Sequence, residues 1–372
     1  MAGCDVVVVG GGIAGLSAAI GLRQAGHRVR LFERAQTIEP LGAAISLWGN
    51  ALAALDRLGC GDAIRERSAP VSRLQSTTRR GRRLFGPVDV ANSDSWLVRR
   101  ADLQTVLLAA AGDAVQLGVA IETAEERDGR VMLSAQDGTH FESDAVVLAD
   151  GIHSKIATEL IENPPEYRGY RGFLGLAEEA RAGNEGVTEE IWDGPMRAGL
   201  IGMHGGGQYW FFMYSTPDED VSMSHEALDA LVLGWSGRVR DAVLATPHET
   251  RIVGSIHART VPNRLGRGRR IAIGDAAHAM EPNLGQGACQ GIEDADALAR
   301  IAARCGPEAW LGELERMRLK RIAHYMNGSA RIGAIAHRLP RLARGAAELF
   351  MRVTPRAVDE WVIQREIAPV AT

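Results

Sequence analysis

The chain has 372 residues, room for one large domain and a smaller one. With 46% hydrophobic and 24% charged residues it reads as a folded globular protein, which excludes a disordered, collagenous or coiled-coil chain. A formal net charge of −4 argues against a nucleic-acid partner, and the arginines clustered at 79–83 and 264–270 read as solvated loops and strand flanks.

Asp5–Val9 carries a run of valines that predicts a buried strand, and Ile13–Gln24 follows with helical periodicity. Val29–Glu33 predicts a second strand, which completes the opening βαβ unit of a parallel sheet. Asn50–Leu58 predicts a helix stopped by Gly59, and residues from Val71 to about Asp94 predict short strands. Ala101–Ala111 predicts a helix with Leu103, Leu107 and Leu108 on one face. Val131–Ser134 and Thr139–Leu148 predict two strands about an Asp137-Gly138 turn. After Asn163-Pro164-Pro165 the texture becomes rich in glycine and aromatics, which predicts a mostly antiparallel sheet with Gln208–Tyr214 as its clearest strand. Arg270–Ile273 returns to a buried strand, and the chain from about residue 287 is helical with a kink near Pro340. The basic stretch Arg338–Arg352 is expected to pack on the nucleotide-binding domain rather than on a membrane.

The architecture expected is α/β: a discontinuous Rossmann-like domain (residues 1–70, 98–165 and 262–330), an inserted, mostly antiparallel sheet domain (71–97 and 166–261) and C-terminal helices (331–372). Cys4, Cys60, Cys289 and Cys305 show no C-x-x-C spacing, so neither disulfides nor a metal site is expected. No leader-like segment precedes Val6–Val9, and no apolar run approaches the roughly 18 to 20 residues of a bilayer span. A cytoplasmic monomer or homodimer without stable membrane association is the expectation.

Gly10-Gly11-Gly12-Ile13-Ala14-Gly15 places a G-x-G-x-x-G string between strand and helix. Gly10 permits the tight turn, Gly12 lets backbone approach a pyrophosphate, and Gly15 allows close helix–strand packing. The helix start, with Ala14 in its first turn, aims free N–H groups at phosphates. Glu33, followed by Arg34, closes the second strand where a carboxylate can hold ribose hydroxyls. A second cluster, Gly268–Ala295, separates FAD from a nicotinamide dinucleotide. There a buried strand delivers Gly274-Asp275, a loop carries Pro282, and Gly285-Gln286-Gly287-Ala288 opens a helix. Asp275 suits a ribityl hydroxyl, and the helix start offers N–H groups that stabilise negative charge on a reduced flavin.

With Asp150-Gly151 after the strand Ala145–Leu148, these motifs occur in the order found in the class A single-component FAD-dependent monooxygenases, the p-hydroxybenzoate hydroxylase superfamily, which the chain resembles over most of its length. Arg100-Ala101-Asp102-Leu103-Gln104 resembles the family helix whose Arg and Gln touch FAD. Gly42–Asn50 and Tyr170–Gly175 resemble the branch of urate and salicylate hydroxylase-like enzymes. The resemblance implies hydroxylation or epoxidation of an aromatic or heteroaromatic small molecule with O2, through a flavin C4a-hydroperoxide, with NADPH or NADH as transient electron donor. A reductase, dehydrogenase or oxidase on the same scaffold, or a flavin-binding protein without turnover, stays open at this stage.

Two departures from the family pattern stand out. Ala157 occupies the place where the middle motif of the family carries an Arg, with Lys155 or Arg168 as possible replacement charges. Cys289 stands where many relatives carry Asn, and reads as a buried, inert thiol. The segment from Arg197 to Trp210 resembles the urate-hydroxylase region that carries a substrate Arg and a Tyr. Arg197 matches the Arg and Trp210 replaces the Tyr, which argues against urate itself. Along Gln208–Tyr214, Trp210 and Phe212 share one face and Tyr209 and Phe211 the other. Arg197, Trp210 and Phe212 are taken as substrate-binding, and His204 and Tyr209 as candidates for the catalytic base.

Overall fold

In a computed structural model the described residues are 3–38, 43–178 and 186–367. Gly42 of the Gly42–Asn50 segment and residues 368–372 of the expected C-terminal helices lie outside them. The class is mixed α/β, and the two larger sheets between them position the site.

The first sheet has six strands, in the order Gly266–Arg267, Arg270–Ala272, Ala145–Leu148, Asp5–Val9, Arg28–Glu33 and Val115–Leu117. Asp5–Val9 pairs in parallel with Ala145–Leu148 on one side and Arg28–Glu33 on the other. Val6 to Val9 are buried, as an internal parallel strand with both faces covered requires. Gly10 then turns at φ +105, where a Cβ would meet the Ala149 carbonyl oxygen at 2.5 Å. At Gly15 a Cβ would lie 2.0 Å from the Gly10 carbonyl oxygen, so only glycine lets the helix Ile13–Gln24 sit this close to the strand.

The expected strand Thr139–Leu148 is two strands. His140–Ser143 pairs antiparallel in a small three-stranded sheet, and Ala145–Leu148 crosses into the first sheet. Asp144 makes the break: its backbone N–H donates to the Asp5 carbonyl and its carboxylate accepts from the Asp5 N–H at 2.8 Å.

The second large sheet has seven strands, in the order Ile252–Ala258, Glu166–Ala177, Gln208–Ser215, Met196–Gly202, Val187–Asp193, Arg73–Thr78 and Arg83–Asp89. One face is covered by the helices His225–Val232 and Gly237–Leu244, where Phe173, Trp210, Phe212, Leu228, Val232 and Trp235 form a core of their own. The other face looks toward the first sheet.

The helix Pro307–Gly333 ends in a wider turn over Ala334–Arg338, and Pro340 caps a new helix, Arg341–Val353. At Pro340 the chain therefore breaks outright instead of kinking. Arg341–Val353 lies along Arg83–Asp89, the edge strand of the second sheet, with Arg83 donating to the Arg352 and Thr354 carbonyls. This corrects the expectation that the segment covers the nucleotide-binding domain. Arg356–Ile367 follows, tied to Pro307–Gly333 by Tyr325 Oη, which donates to the Glu366 carbonyl at 2.6 Å.

Candidate active site

Between the two large sheets lies a cavity of about 640 Å³ that runs from the glycine turn to the strand Gln208–Ser215. Gly12, Ala14, Arg100, Asp275, Pro282, Gly285, Gly287 and Ala288 line its first end. Gly10 and Gly15 stand behind them, shaping the turn. A Cβ at Gly12 would meet nothing within 4 Å, so the backbone there is open to an incoming phosphate. Glu33 accepts the Gly11 N–H at 2.7 Å and the Ala35 N–H at 2.9 Å. Its carboxylate retains lone pairs for ribose hydroxyls. Gln104 donates to the Gly11 carbonyl at 3.3 Å and so braces the glycine loop from outside.

The arrangement fits FAD on an observation of its own: Arg100 Nε, at the cavity wall, is buried with no hydrogen-bond partner among the described residues. Burial pushes the Arg100 pKa down and the nearby Asp275 carboxylate pulls it back up, so the cation is held in place but one donor waits for an acceptor. Asp150 is exposed at the end of its strand, with Arg34 and Arg259 as its nearby cations.

The ground under this cofactor end is a buried ionic network. Asp294 accepts from the Gly274 N–H at 3.0 Å, from Arg318 Nε at 2.7 Å and contacts His278 Nε2 at 2.5 Å. Glu293 is held by Arg321 at 2.7 Å and accepts from Asn50 Nδ2, which also donates to Gln286 Oε1. Burial alone would raise the Asp294 carboxyl, but the charges of His278 and Arg318 overcome it and hold the group down at about 2. One network thus fixes both Gly274-Asp275 and the start of the helix Gly287–Ala302. Cys289, in that helix, is wholly buried and its thiol is pushed up to about 12, an inert group at neutral pH.

Ala157 is fully buried in the helix Lys155–Ile161. Neither expected replacement stands in for the missing Arg: Lys155 is exposed, and Arg168 donates to the Ala258 and Arg259 carbonyls. The cation at this place is Arg259, which sequence reasoning missed. It donates to the carbonyls of Asn163, of Ile152 at 2.8 Å and of Asp275 at 3.3 Å, and to Thr158 Oγ1 at 3.0 Å. One guanidinium thereby joins the segment after Asp150-Gly151 to the Gly274-Asp275 motif.

The second end of the cavity is mostly apolar, with Leu74, Phe85, Leu174, Tyr209, Phe211 and Met213 on the sheet side. Tyr209 and Phe211 are the cavity face of Gln208–Ser215. The expectation for Trp210 and Phe212 is therefore corrected: they are buried on the opposite face, and Trp210 Nε1 donates to Thr246 Oγ1 at 2.8 Å. His204 sits exposed in a turn away from the cavity lining. Tyr209 lines the cavity, and burial raises the pKa of its phenol above the ordinary range.

Arg197 lines this end and is only 3% exposed. Its Nη2 donates to Asn283 Oδ1 at 2.6 Å, and its Nε lies 3.8 Å from Glu190 Oε2. Trp192 and Phe211 flank the guanidinium at 5.6 and 5.7 Å from their ring centroids. Nη1 has no hydrogen-bond partner among the described residues. Glu190 lines the cavity too and sits outside any motif, whereas Asn283 lies in the Gly268–Ala295 cluster beside Pro282 without being singled out there. Among the described residues no group of acids, histidines and cysteines is placed to hold a metal ion, and no helix is long and apolar enough to cross a membrane.

Comparison with known proteins gives the same answer as the geometry. The FAD binding domain family matches residues 3–309. The chain is 31% identical over 361 residues to the aurachin C monooxygenase/isomerase of Stigmatella aurantiaca, covering 94% of each chain. It is 35% identical over 309 residues to the FAD-dependent urate hydroxylase of Klebsiella oxytoca, covering 79% of this chain and 80% of that one. The crystal structure of Klebsiella pneumoniae HpxO complexed with FAD and uric acid superposes with a TM-score of 0.90 at 27% identity, over 99% of this chain and 98% of the other. A cavity with a phosphate-ready glycine turn at one end and an aromatic chamber at the other belongs to these enzymes: the chain is a member of the FAD binding domain family and a class A FAD-dependent monooxygenase.

Proposed function

We propose that this monooxygenase hydroxylates a planar heteroaromatic small molecule that carries a carbonyl or phenolate oxygen beside a ring N–H or hydroxyl. The observation that carries the reading is Arg197 Nη1, an unpartnered donor on a buried cation, beside the Glu190 carboxylate in an otherwise apolar chamber. A buried charge with an empty donor is costly, and a substrate oxygen placed there completes it. Glu190, on the same wall, accepts the proton that leaves the ring N–H or hydroxyl, which makes the ring more electron-rich. Tyr209, Phe211, Leu174 and Met213 hold the ring in plane and exclude water.

At the other end Gly12, Glu33, Arg100, Asp275 and the 285–288 helix start hold FAD, with Asp150 and Arg34 at its rim. When bound and reduced, FAD supplies the activation of dioxygen for oxygen insertion. NADH or NADPH is the transient donor in this reading. The reading is supported by relatives whose names include urate hydroxylase and aurachin C monooxygenase.

The test pairs substrate discovery with one substitution. Anaerobic mixing with NADH or NADPH across a panel of hydroxylated and oxo-heteroaromatics identifies the compound that accelerates flavin bleaching. With that compound, Glu190→Gln lowers kcat by about tenfold to a thousandfold, the usual worth of a positioned base. An unchanged kcat removes Glu190 from the reaction, and a panel in which only benzoates respond replaces the heteroaromatic class.

A further inference from the structure

The helix Arg341–Val353 presents an apolar stripe that none of the described residues covers. Leu342, Ala346, Leu349, Phe350 and Val353 recur at the spacing of one helix face. Leu342 is 90% exposed, Phe350 72% and Val353 68%. Arg341 and Arg352 stand exposed along the edge of the stripe, and Arg356 opens the next helix. The opposite side of the same helix is turned inward: Met351 lines the substrate end of the cavity, together with Ile335 from the preceding turn and Ile363 from the following helix. Trp361, also in that following helix, is 60% exposed with Arg365 above its ring at 5.5 Å.

We propose that Arg341–Val353 is an interfacial helix that docks the enzyme reversibly on an anionic lipid surface. Large apolar side chains on one face, arginines at its border and no covering element among the described residues are the features of a helix that lies in the headgroup plane. Charge decides the occupant. The exposed arginines complement lipid phosphates, whereas a second copy packed face to face on this stripe brings Arg341 and Arg352 of each chain toward the same residues of the other. Docking places a wall of the substrate chamber one helix thickness from the bilayer, so apolar substrates reach the site from lipid. Docking of this kind is peripheral and reversible, and its test does not depend on which substrate is turned over.

The test is flotation of the flavin-loaded enzyme with vesicles of phosphatidylcholine alone or with phosphatidylglycerol. The wild type floats with the anionic vesicles, stays behind with neutral ones, and is released as salt is raised. The double variant Leu349→Glu/Phe350→Glu, altered only at exposed positions, keeps its flavin and loses flotation. Absence of flotation of the wild type overturns the proposal, as does a double variant that floats equally well. A wild-type dimer in light scattering that the double variant turns into monomer, without vesicle binding by either state, assigns the stripe to a second copy and overturns it too.

Discussion

Arg197 Nη2 donates to Asn283 Oδ1 at 2.6 Å and thereby ties the second sheet to the loop that faces the cofactor. Asn283 passes the contact on, donating to the Tyr170 hydroxyl at 3.2 Å and to the Ser329 carbonyl at 2.9 Å. Tyr170 in turn donates to Glu281 Oε2 at 2.9 Å, and Arg338 grips the same carboxylate at 2.9 Å. A substrate that engages Arg197 is thus held against a scaffold that spans sheet, loop and C-terminal helix, a precondition for orienting a ring against the flavin.

Arg197→Ala removes a buried guanidinium whose Nη1 has no hydrogen-bond partner among the described residues. A charged hydrogen bond contributes about 1.5–3 kcal/mol, so KM rises by about tenfold to a hundredfold. The product formed per NAD(P)H oxidised falls as the ring loses its orientation. Arg197→Lys restores charge but not the fork that serves Asn283 and a ligand together, so it recovers affinity in part. Steady-state kinetics with oxygen-electrode coupling ratios check this. Unchanged KM and coupling in the alanine variant would take Arg197 out of the substrate site.

The aromatic strand supplies a paired contrast. Phe212 is fully buried against Trp235 at 5.0 Å between centroids, whereas Phe211 lines the cavity. Phe212→Ala lowers unfolding stability by about 3–5 kcal/mol, as large-to-small core changes do, and leaves substrate preference alone. Phe211→Ala shifts preference and coupling while stability moves much less. Denaturant melts and kinetics on the two variants check the assignment, and reversed effects would restore Phe212 as a cavity residue.

This contrast also marks the limit of sequence reading. Asp5–Val9 and Ile13–Gln24 are legible to the residue, because a buried valine run and a helical period leave little choice at each position. Gln208–Ser215 is legible as a strand but not in its orientation: both faces are apolar, and only the packing of His225–Val232 and Gly237–Leu244 decides which one is core. Thr139–Leu148 is misjudged as one strand because the break at Asp144 depends on Asp5, 139 residues away. The cofactor motifs are local and stand out. Glu190 and Asn283 are brought to Arg197 by the topology alone, so no spacing along the chain could reveal them.

Arg259 gives a prediction about the cofactor end. Its guanidinium is 2% exposed and fully engaged, so Arg259→Met takes this donor from the buried carbonyl of Asn163 and the partly buried carbonyls of Ile152 and Asp275. Each such group costs about 1–3 kcal/mol, and the loss falls on the contact between two cofactor motifs. The variant is expected to retain less FAD per chain after gel filtration and to melt at lower temperature. Added FAD restores part of the melting temperature by mass action. Arg259→Lys does not substitute, because one ammonium cannot reach partners on three stretches of chain. Full flavin retention in Arg259→Met would confine the residue to packing.

His337 predicts the response to acid. Its ring stacks on Tyr170 at 4.1 Å between centroids, and its Nδ1 lies 3.1 Å from Ser215 Oγ. Burial, then the charge of Arg197, lowers its pKa from 6.5 to about 3. Between these values the unfolded chain binds a proton that the folded one refuses, so stability rises with pH through this range and is lost as pH falls below about 6.5. At full effect one such group contributes a slope of about 1.4 kcal/mol per pH unit. His337→Asn keeps a polar partner for Ser215 without the titration, and its stability is expected to change less between pH 7 and pH 5 than that of the wild type. Urea melts at a series of pH values measure the two slopes. Equal slopes would mean that another group carries the acid sensitivity, and the arginines around His337 would then have no part in it.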